Sequence, residues 1–522
     1  MAFLRFNDAD APFDMTSGTN TFEGTINTSA TQWQFSTGSA ARAIAFGEGM
    51  SFDVGNKPTG GTVTELQLRV GTADTSDADV SGFSVSATLL RDNNVWDVIL
   101  SGNDIINTQG LAVDQVGAGS SSIFGDSSLA KDGTAGGNDI FIIGDSSVQL
   151  IGDAAFMGEP ISNLQRAQRQ SIDYLGGNDT INGVVATVRQ IFVGDVGEAA
   201  GAVNLSGGDD LFNIGTSFDG SAVTGDVQFV QGGGRRSIAE IRGGEDEIRA
   251  VGTNAELLLA GDVGVMSDFT VVRGGKDVIA GNDGADVISG DVASDASGRK
   301  ASIRGGADQI DGGDGDDRIP GESLGFLEDL FPKSARAGDR QSGSAQIKGA
   351  ADVIDGGGGD DEIYGELFAA TDQQLKAVAG GNDVISGGTG NDELFGQSGN
   401  DRIIGGIGGD ILSGGTGADH FVFLTLEDSR FPDGGQDLIT DFSRKERDRI
   451  DLSAIDADLT KDGVQDFDFV GRTDRTGPTG ELSLRFENGT TTLTADTSGD
   501  TITDFGIAFE GRINFRDTDF IF

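Results

Sequence analysis

The stretch that decides the fold runs from Gly387 to Phe423: GGTGNDELFGQSGNDRIIGGIGGDILSGGTGADHFVF. Aspartates fall at Asp383, Asp392, Asp401, Asp410 and Asp419, every ninth residue. A glycine stands two residues before each of the last four. An apolar residue follows two places after each: Leu394, Ile403, Leu412 and Phe421. Written as GGxGxDxUx, with U apolar, the unit has a physical role for each part. Its glycines permit positive φ, so the backbone turns tightly and aims its carbonyls inward. The residues around U make a short strand whose U side chain enters a core. Nine residues make half a coil, and successive coils stack as parallel strands about 4.8 Å apart.

Full copies start at Gly312, Gly356, Gly387, Gly405 and Gly414. Copies with one glycine replaced start at Gly281 and Gly396. Their turn acids are Asp286, Asp317, Asp361, Asp392, Asp401, Asp410 and Asp419. Upstream the pattern thins to GG-x-D or a near variant, at Asp139, Asp179, Asp210, Asp246, Asp277, Asp308, Asp352 and Asp383. Stacking places such acids at coil spacing, where two bare carboxylates repel by roughly 3.5 kcal/mol at an effective dielectric near 20. Lys+Arg total 36 against 84 Asp+Glu, so side-chain cations cannot neutralise the stack. Bound cations are therefore expected. A cage of carboxylate and glycine carbonyl oxygens suits Ca²⁺ better than Mg²⁺, which demands octahedral geometry and keeps its waters. Zinc would want Cys or His, and the chain has no Cys and one His. All of these aspartates are candidate ligands for multiple Ca²⁺ ions. A flexible linker would lack the periodic U residue, and a phosphate loop would need a strand before it and a helix after it.

The nonapeptide resembles the RTX (repeat-in-toxin) family, and the resemblance implies a calcium-binding parallel β-roll. In the longer units, an apolar-x-Gly-acid element follows the turn aspartate by 14 or 16 residues: Asp153, Asp195, Asp226, Asp262, Asp291, Glu322 and Glu366. Variable sequence then leads to the next unit, which reads as a hairpin or loop leaving the roll at one corner. The turns before Asp277 lack a second aspartate of the family pattern, which leaves the calcium count of the first half open.

Residues 421–522 resemble the C-terminal domain of serralysin-type proteases, on Asp437, Ile439, Asp441, Phe442, Asp448, Ile450, Asp451 and Leu452. Asp496, Gly499, Asp500, Asp504 and Phe505 match the family's acidic turn, with Thr501 where a glycine is usual. The ending Asp519-Phe520-Ile521-Phe522 resembles an uncleaved type I secretion signal. Residues 1–95 alternate polar and apolar, as at Trp33 and Phe35 or Leu66, Leu68 and Val70, which argues a small all-β domain of sandwich kind. The expected fold class is all-β: a β domain over 1–95, a parallel β-roll with hairpin and loop insertions over 96–420, and a capping and secretion domain over 421–522.

The net charge of −48 argues against nucleic acid and anionic membrane as partners. The opening MAFLRFNDADAPF lacks the apolar run of a signal peptide, so an export address is expected elsewhere. With His420 the one histidine, no HExxH zinc site can exist, and a non-enzyme is expected. Tyr174 and Tyr364 sit beside aliphatics and read as packing residues. The expected function is a secreted, calcium-dependent structural protein, extracellular or on the surface of a Gram-negative cell, self-assembling as a surface layer (S-layer) or filament. Expected partners are further copies of the chain in a sheet or filament and the type I secretion machinery, with a cell-surface polysaccharide as a candidate. The alternative is an adhesin or carbohydrate-binding protein; an enzyme acting on polysaccharide ranks below it.

Overall fold

The computed structural model describes residues 134–143, 148–158, 172–183, 191–200, 202–215, 221–231, 238–251, 255–266, 270–295, 302–323, 346–368, 379–431, 435–473 and 478–522, and before residue 134 a set of strands alone. Among the described residues there is no α-helix. The chain divides into two compact units, Met1–Gly275 with Ala296–Ala301 and Lys276–Asp295 with Ser302–Phe522.

In the first unit, strands Gly24–Ser29, Gln32–Ser36, Ala41–Phe52, Pro58–Val70 and Ala78–Ser86 pair antiparallel in chain order, and Phe3–Phe6 pairs antiparallel with the last of them. The alternation read in residues 1–95 thus forms one antiparallel sheet, and the described strands there make no second layer of a sandwich. Phe3–Phe6 also pairs parallel with Ile105–Asn107, which opens a stack of short parallel strands.

That stack is four-sided. One wall holds Ile105–Asn107, Ile140–Ile143, Thr180–Gly183, Leu211–Ile214 and Glu247–Ala250. A second holds Ser121–Phe124, Val148–Ile151, Ile191–Val193, Ser221–Thr224 and Leu257–Ala260. A third holds Ala154–Gly158, Val196–Ala200, Val227–Gln231 and Val263–Met266. The fourth holds Thr134–Ala135, Ile172–Leu175, Val203–Ser206, Ala239–Arg242 and Thr270–Arg273. Here the sequence expectation is corrected: the chain beyond Asp153, Asp195 and Asp226 does not leave as an arm. It builds the third and fourth walls, because its apolar residues alternate and can face a shared interior. Phe212, Val223, Val227 and Ile241, one from each wall, are no more than 1% exposed. Successive coils repeat this layer.

The second unit stacks two parallel walls. One runs Val278–Ala280, Gln309–Asp311, Val353–Gly358, Val384–Thr389, Arg402–Ile407, His420–Val422, Arg449–Asp451 and Phe520–Ile521. The other runs Val287–Ser289, Arg318–Pro320, Glu362–Tyr364, Glu393–Phe395, Ile411–Ser413, Leu438–Ile439 and Phe505–Glu510. It ends in Thr490–Ala495, Glu481–Glu487 and Asp468–Arg472. Both walls therefore continue beyond His420 into the C-terminal segment, and the chain's last strand is a wall strand. A short parallel pair, Ser302–Arg304 with Gln346–Lys348, adds a further side. The inserts at 324–345 and 369–378 lie outside the described residues.

The U residues form two apolar columns in this unit. Ile354, Ile385, Ile403 and Phe421 fill one, and Ile363, Leu394 and Leu412 the other, none more than 1% exposed. Each contributes about 1.5–3 kcal/mol by burial. The column is expected to dominate stability over the outer face. Ile385→Ala should destabilise the calcium-loaded protein by about 2–5 kcal/mol. Val353→Ala, on a residue 49% exposed, should stay within about 0.5 kcal/mol. Denaturant unfolding of both variants checks this; equal costs would contradict the column.

Candidate metal centre

The turn aspartates do not point to solvent. Asp139, Asp179, Asp210, Asp246, Asp277, Asp286, Asp308, Asp317, Asp352, Asp361, Asp383, Asp392, Asp401, Asp410 and Asp419 are each no more than 3% exposed. They stack because each carboxylate accepts the backbone N–H of the equivalent aspartate one coil earlier. In the first unit Asp139 donates to Asp179 Oδ1 (2.6 Å), Asp179 to Asp210 Oδ1 (2.6 Å) and Asp210 to Asp246 Oδ1 (2.7 Å). In the second unit one ladder climbs from Asp277 through Asp308, Asp352, Asp383, Asp401 and Asp419 to Asp448, with N···Oδ1 distances of 2.9–3.1 Å. A second climbs from Asp286 through Asp317, Asp361, Asp392 and Asp410 to Asp437. The rungs from Asp383 to Asp401 to Asp419 are 18 residues apart, the spacing of two nonapeptides. Lower rungs span 31 or 44 residues because more chain separates their turns.

This leaves one oxygen per carboxylate. Oδ2 of Asp308, Asp317, Asp352, Asp361, Asp383, Asp392, Asp401, Asp410, Asp419 and Asp437 is buried and meets no hydrogen-bond donor. A buried polar atom left unmet costs about 1–3 kcal/mol, and more when charged. A carbonyl oxygen lies beside many of them. Asp392 Oδ2 and Gly405 O both crowd Gly387 Cα, and Asp401 Oδ2 and Gly414 O both crowd Gly396 Cα. A Cβ at either glycine would collide with them. The turns thus concentrate carboxylate and carbonyl oxygens with no nitrogen or sulfur donor, the set that Ca²⁺ takes. Gly388 and Gly390 hold φ of 101° and 148°, which L side chains rarely adopt, and this presents the turn backbone to the same space.

Electrostatics point the same way. Burial pushes the carboxyl of Asp361, Asp392, Asp401 and Asp410 up to about 7, that of Asp317 to about 8 and that of Asp383 to about 9. Burial is the largest cause throughout, and neighbouring acids add to it. Raising one carboxyl from 3.8 to about 7 costs on the order of 4 kcal/mol at neutral pH. Several such groups together exceed the whole net stability of an ordinary domain, about 5–15 kcal/mol. A bound cation would offset that cost.

Sequence reasoning treated the corner acids as markers of an exit and did not place them among the ligands. The structure turns them inward. Asp153, Asp195, Asp226, Asp262, Asp291, Glu322 and Glu366 are all fully buried. Each accepts a backbone N–H from the next coil's turn, at Gly177, Gly208, Gly244, Gly275, Gly306, Ala350 and Gly381 respectively. At the next corner position stands Gln397, whose Oε1 accepts the N–H of Glu366 and Leu367 while its Nε2 donates to the Leu367 carbonyl. The 18-residue coils begin there. Asp437 and Asp448, read in the sequence only as C-terminal-domain residues, extend the two ladders. The constant 14–16-residue offset of the corner acids was the signal that could have flagged them. His420 lies in a wall strand, half-buried, its N–H donating to the Asp401 carbonyl.

Two family models match. One, described as the RTX calcium-binding nonapeptide repeat, matches residues 272–295 and 304–322; the other, described as the peptidase M10 serralysin C terminal, matches residues 350–522. The chain carries RTX calcium-binding repeats and a serralysin-type C-terminal domain. The repeats imply several Ca²⁺ ions, with which the buried aspartates are consistent, and the chain is that of a secreted, extracellular calcium-binding protein. Neither family model matches residues 1–271. No curated relative matches the chain. Among solved structures it is similar to the AlgE6R2 subunit of the Azotobacter vinelandii mannuronan C5-epimerase, at 27% identity and a TM-score of 0.23 over 32% of this chain and 91% of that one. It is also similar to the AlgE6R3 subunit, at 29% identity and a TM-score of 0.15 over 31% of this chain and 71% of that one.

Two outcomes are expected. Asp401→Ala removes a rung shared with Asp383 and Asp419, so the calcium bound per chain, measured by equilibrium dialysis, should fall; unchanged stoichiometry would contradict the ladder. Without calcium, the pH dependence has a definite sign. Carboxyls whose folded pKa is about 7 and unfolded pKa near 3.8 favour the folded state at low pH, and that stability is lost as pH rises through 7. In chelator, β-sheet circular dichroism should grow as pH drops from about 7.5 to about 5; a decrease would contradict the assignment.

Proposed function

We propose that the protein is a structural one: a calcium-stabilised solenoid, exported by type I secretion, that assembles with further copies of itself as a surface layer or filament on or outside a Gram-negative cell. One observation carries this reading. In both units the buried turn aspartates and corner acids accept backbone N–H groups of neighbouring coils and so hold the coils together. A chain built this way is scaffold over most of its length, and repetition of one coil suits repetition of the whole chain. We read the protein as a non-enzyme on the same ground, since its buried carboxylates have a structural employment already. The one histidine also sits in a wall strand.

An adhesin or carbohydrate-binding role is the second reading, with a cell-surface polysaccharide as partner. It is favoured by a half-buried aromatic group beside the second unit's wall. Tyr364 stacks on Phe395 at 4.7 Å, Phe368 meets Tyr364 edge-on at 5.2 Å, and Arg318 lies over Phe368 at 4.8 Å. Such faces can stack on sugar rings.

Electron microscopy of the purified protein separates the two. Ordered sheets or filaments should appear on adding calcium and disperse in chelator. Monomers in both conditions, with retention on a glycan surface, would replace the structural reading by the second one. Export is tested by deleting Asp519 to Phe522, which should trap the chain inside the cell; normal secretion of the truncated form would sink the type I route.

A further inference from the structure

Residues 1–271, nearly all of the first unit, lie outside both family matches, and the coils there carry only one turn aspartate each. Even so, among the described residues the groups of three acids close enough to share an ion lie there. Ligand-type oxygens of Asp179, Asp195 and Asp210 lie within 4.8 Å of one another, and those of Asp226, Asp246 and Asp262 do the same. Two oxygens bound to one Ca²⁺ at about 2.4 Å can be at most about 4.8 Å apart, so the separation admits a common ion.

An acidic group alone would mean little, but this one is directed. Each of the three carboxylates is anchored by one oxygen. Asp179 Oδ1 accepts from the Asp139 N–H, Asp210 Oδ1 from the Asp179 N–H, and Asp195 Oδ2 from the Gly208 N–H at 3.0 Å. The other oxygen of each (Asp179 Oδ2, Asp195 Oδ1 and Asp210 Oδ2) is buried and meets no N–H donor; Asp195 faces only further acids, the carboxyls of Asp153 and Asp226. The residues themselves are no more than 3% exposed. The charges that bear on Asp179 are those of Asp153, Asp210 and Asp139, all negative. Carbonyl oxygens complete the set. Gly194 O lies with Asp179 Oδ2 against Gly152 Cα, and Gly225 O lies with Asp210 Oδ2 against Gly194 Cα, where any Cβ would collide.

We propose that the wide coils of the first unit bind Ca²⁺ at mixed sites of turn and corner aspartates, with Asp179, Asp195 and Asp210 (two turn acids and the corner acid between them) as one site. The corner acid does for a wide coil what a second nonapeptide turn does for an 18-residue coil. It brings a second carboxylate to the turn, beside the turn aspartate. The oxygen-only donor set selects a hard cation, and the buried, irregular cage favours Ca²⁺ over Mg²⁺. The sites would extend calcium dependence into a region with no repeat match.

Asp195→Asn in the full chain tests this. The amide oxygen can still accept the Gly208 N–H, and the change removes one ligand oxygen and one charge. Bound calcium, measured by equilibrium dialysis with metal analysis, should fall by one ion per chain. The melting temperature should fall in calcium and rise in chelator, because the same change relieves a buried charge when no ion is present. If Asp195 is only a protonated hydrogen-bonding residue, stoichiometry stays at the parent value and the two shifts share one sign; either result overturns the proposal. Asp226→Asn, in the neighbouring group, gives the same readouts should the first variant not fold. The outcome is independent of assembly, so loss of a calcium ion in a protein that forms no filaments would uphold the site and reject only the structural reading.

Discussion

A buried carboxylate with one satisfied oxygen and one bare oxygen is the constraint on which the rest of this structure depends. It recurs from Asp308 to Asp419 in one ladder of the second unit and from Asp317 to Asp437 in the other. The anchored oxygen fixes the vertical register, because it takes the backbone N–H of the coil before. The bare oxygen makes the register untenable without a cation. Glycine stands opposite because a Cβ would fill the space that the oxygens share. The U residues face inward beside the ladder and supply the apolar column that a solvated acid stack could not. Fold and ion binding are thus one equilibrium, since a site spread over two coils does not exist until they have stacked.

Coil size varies around this fixed element. From Asp383 to Asp419 the coil is 18 residues and two nonapeptide turns suffice. In the first unit the coil from Asp179 to Asp210 is 31 residues and four walls are needed. The wider section brings a third kind of inward acid, at the corner, and Gln397 marks the place where an uncharged amide follows that series. The C-terminal segment then extends both walls of the second unit. Its aromatic residues, among them Phe442, Phe509, Phe515 and Phe520, pack with ring centroids 4.8–5.8 Å apart. Arg444 holds Asp519 at 2.5 Å just before the last strand. A low-calcium compartment would keep such a chain unfolded, and a calcium-rich exterior would fold it, which is the physical case for export before folding.

The nonapeptide part was legible because all its information is local. Glycine, aspartate and U residue sit within eight positions, and a period of nine shows through at Asp392, Asp401, Asp410 and Asp419. The wide coils were harder to read. Their third and fourth walls come from strands such as Val196–Ala200 and Val203–Ser206, or Val227–Gln231 and Ala239–Arg242, where no residue type repeats and only alternation survives. An alternating stretch after a glycine corner fits a hairpin arm as well as a wall, and only pairing with the next coil distinguishes them. The corner acids were visible as a spacing yet not as ligands, because the turn they meet lies one coil away in sequence. Residues 1–95 showed their strand period, but a period of two does not say whether strands share one sheet or face each other across two.

The most direct test of the account is a far-ultraviolet circular dichroism titration of the full chain, starting from chelator at neutral pH. The carboxylate ladders predict a chain with little β signal that folds cooperatively as Ca²⁺ is added and does not fold at equal Mg²⁺. A full β spectrum in chelator, unchanged by Ca²⁺, would contradict the claim that cations hold the ladders together.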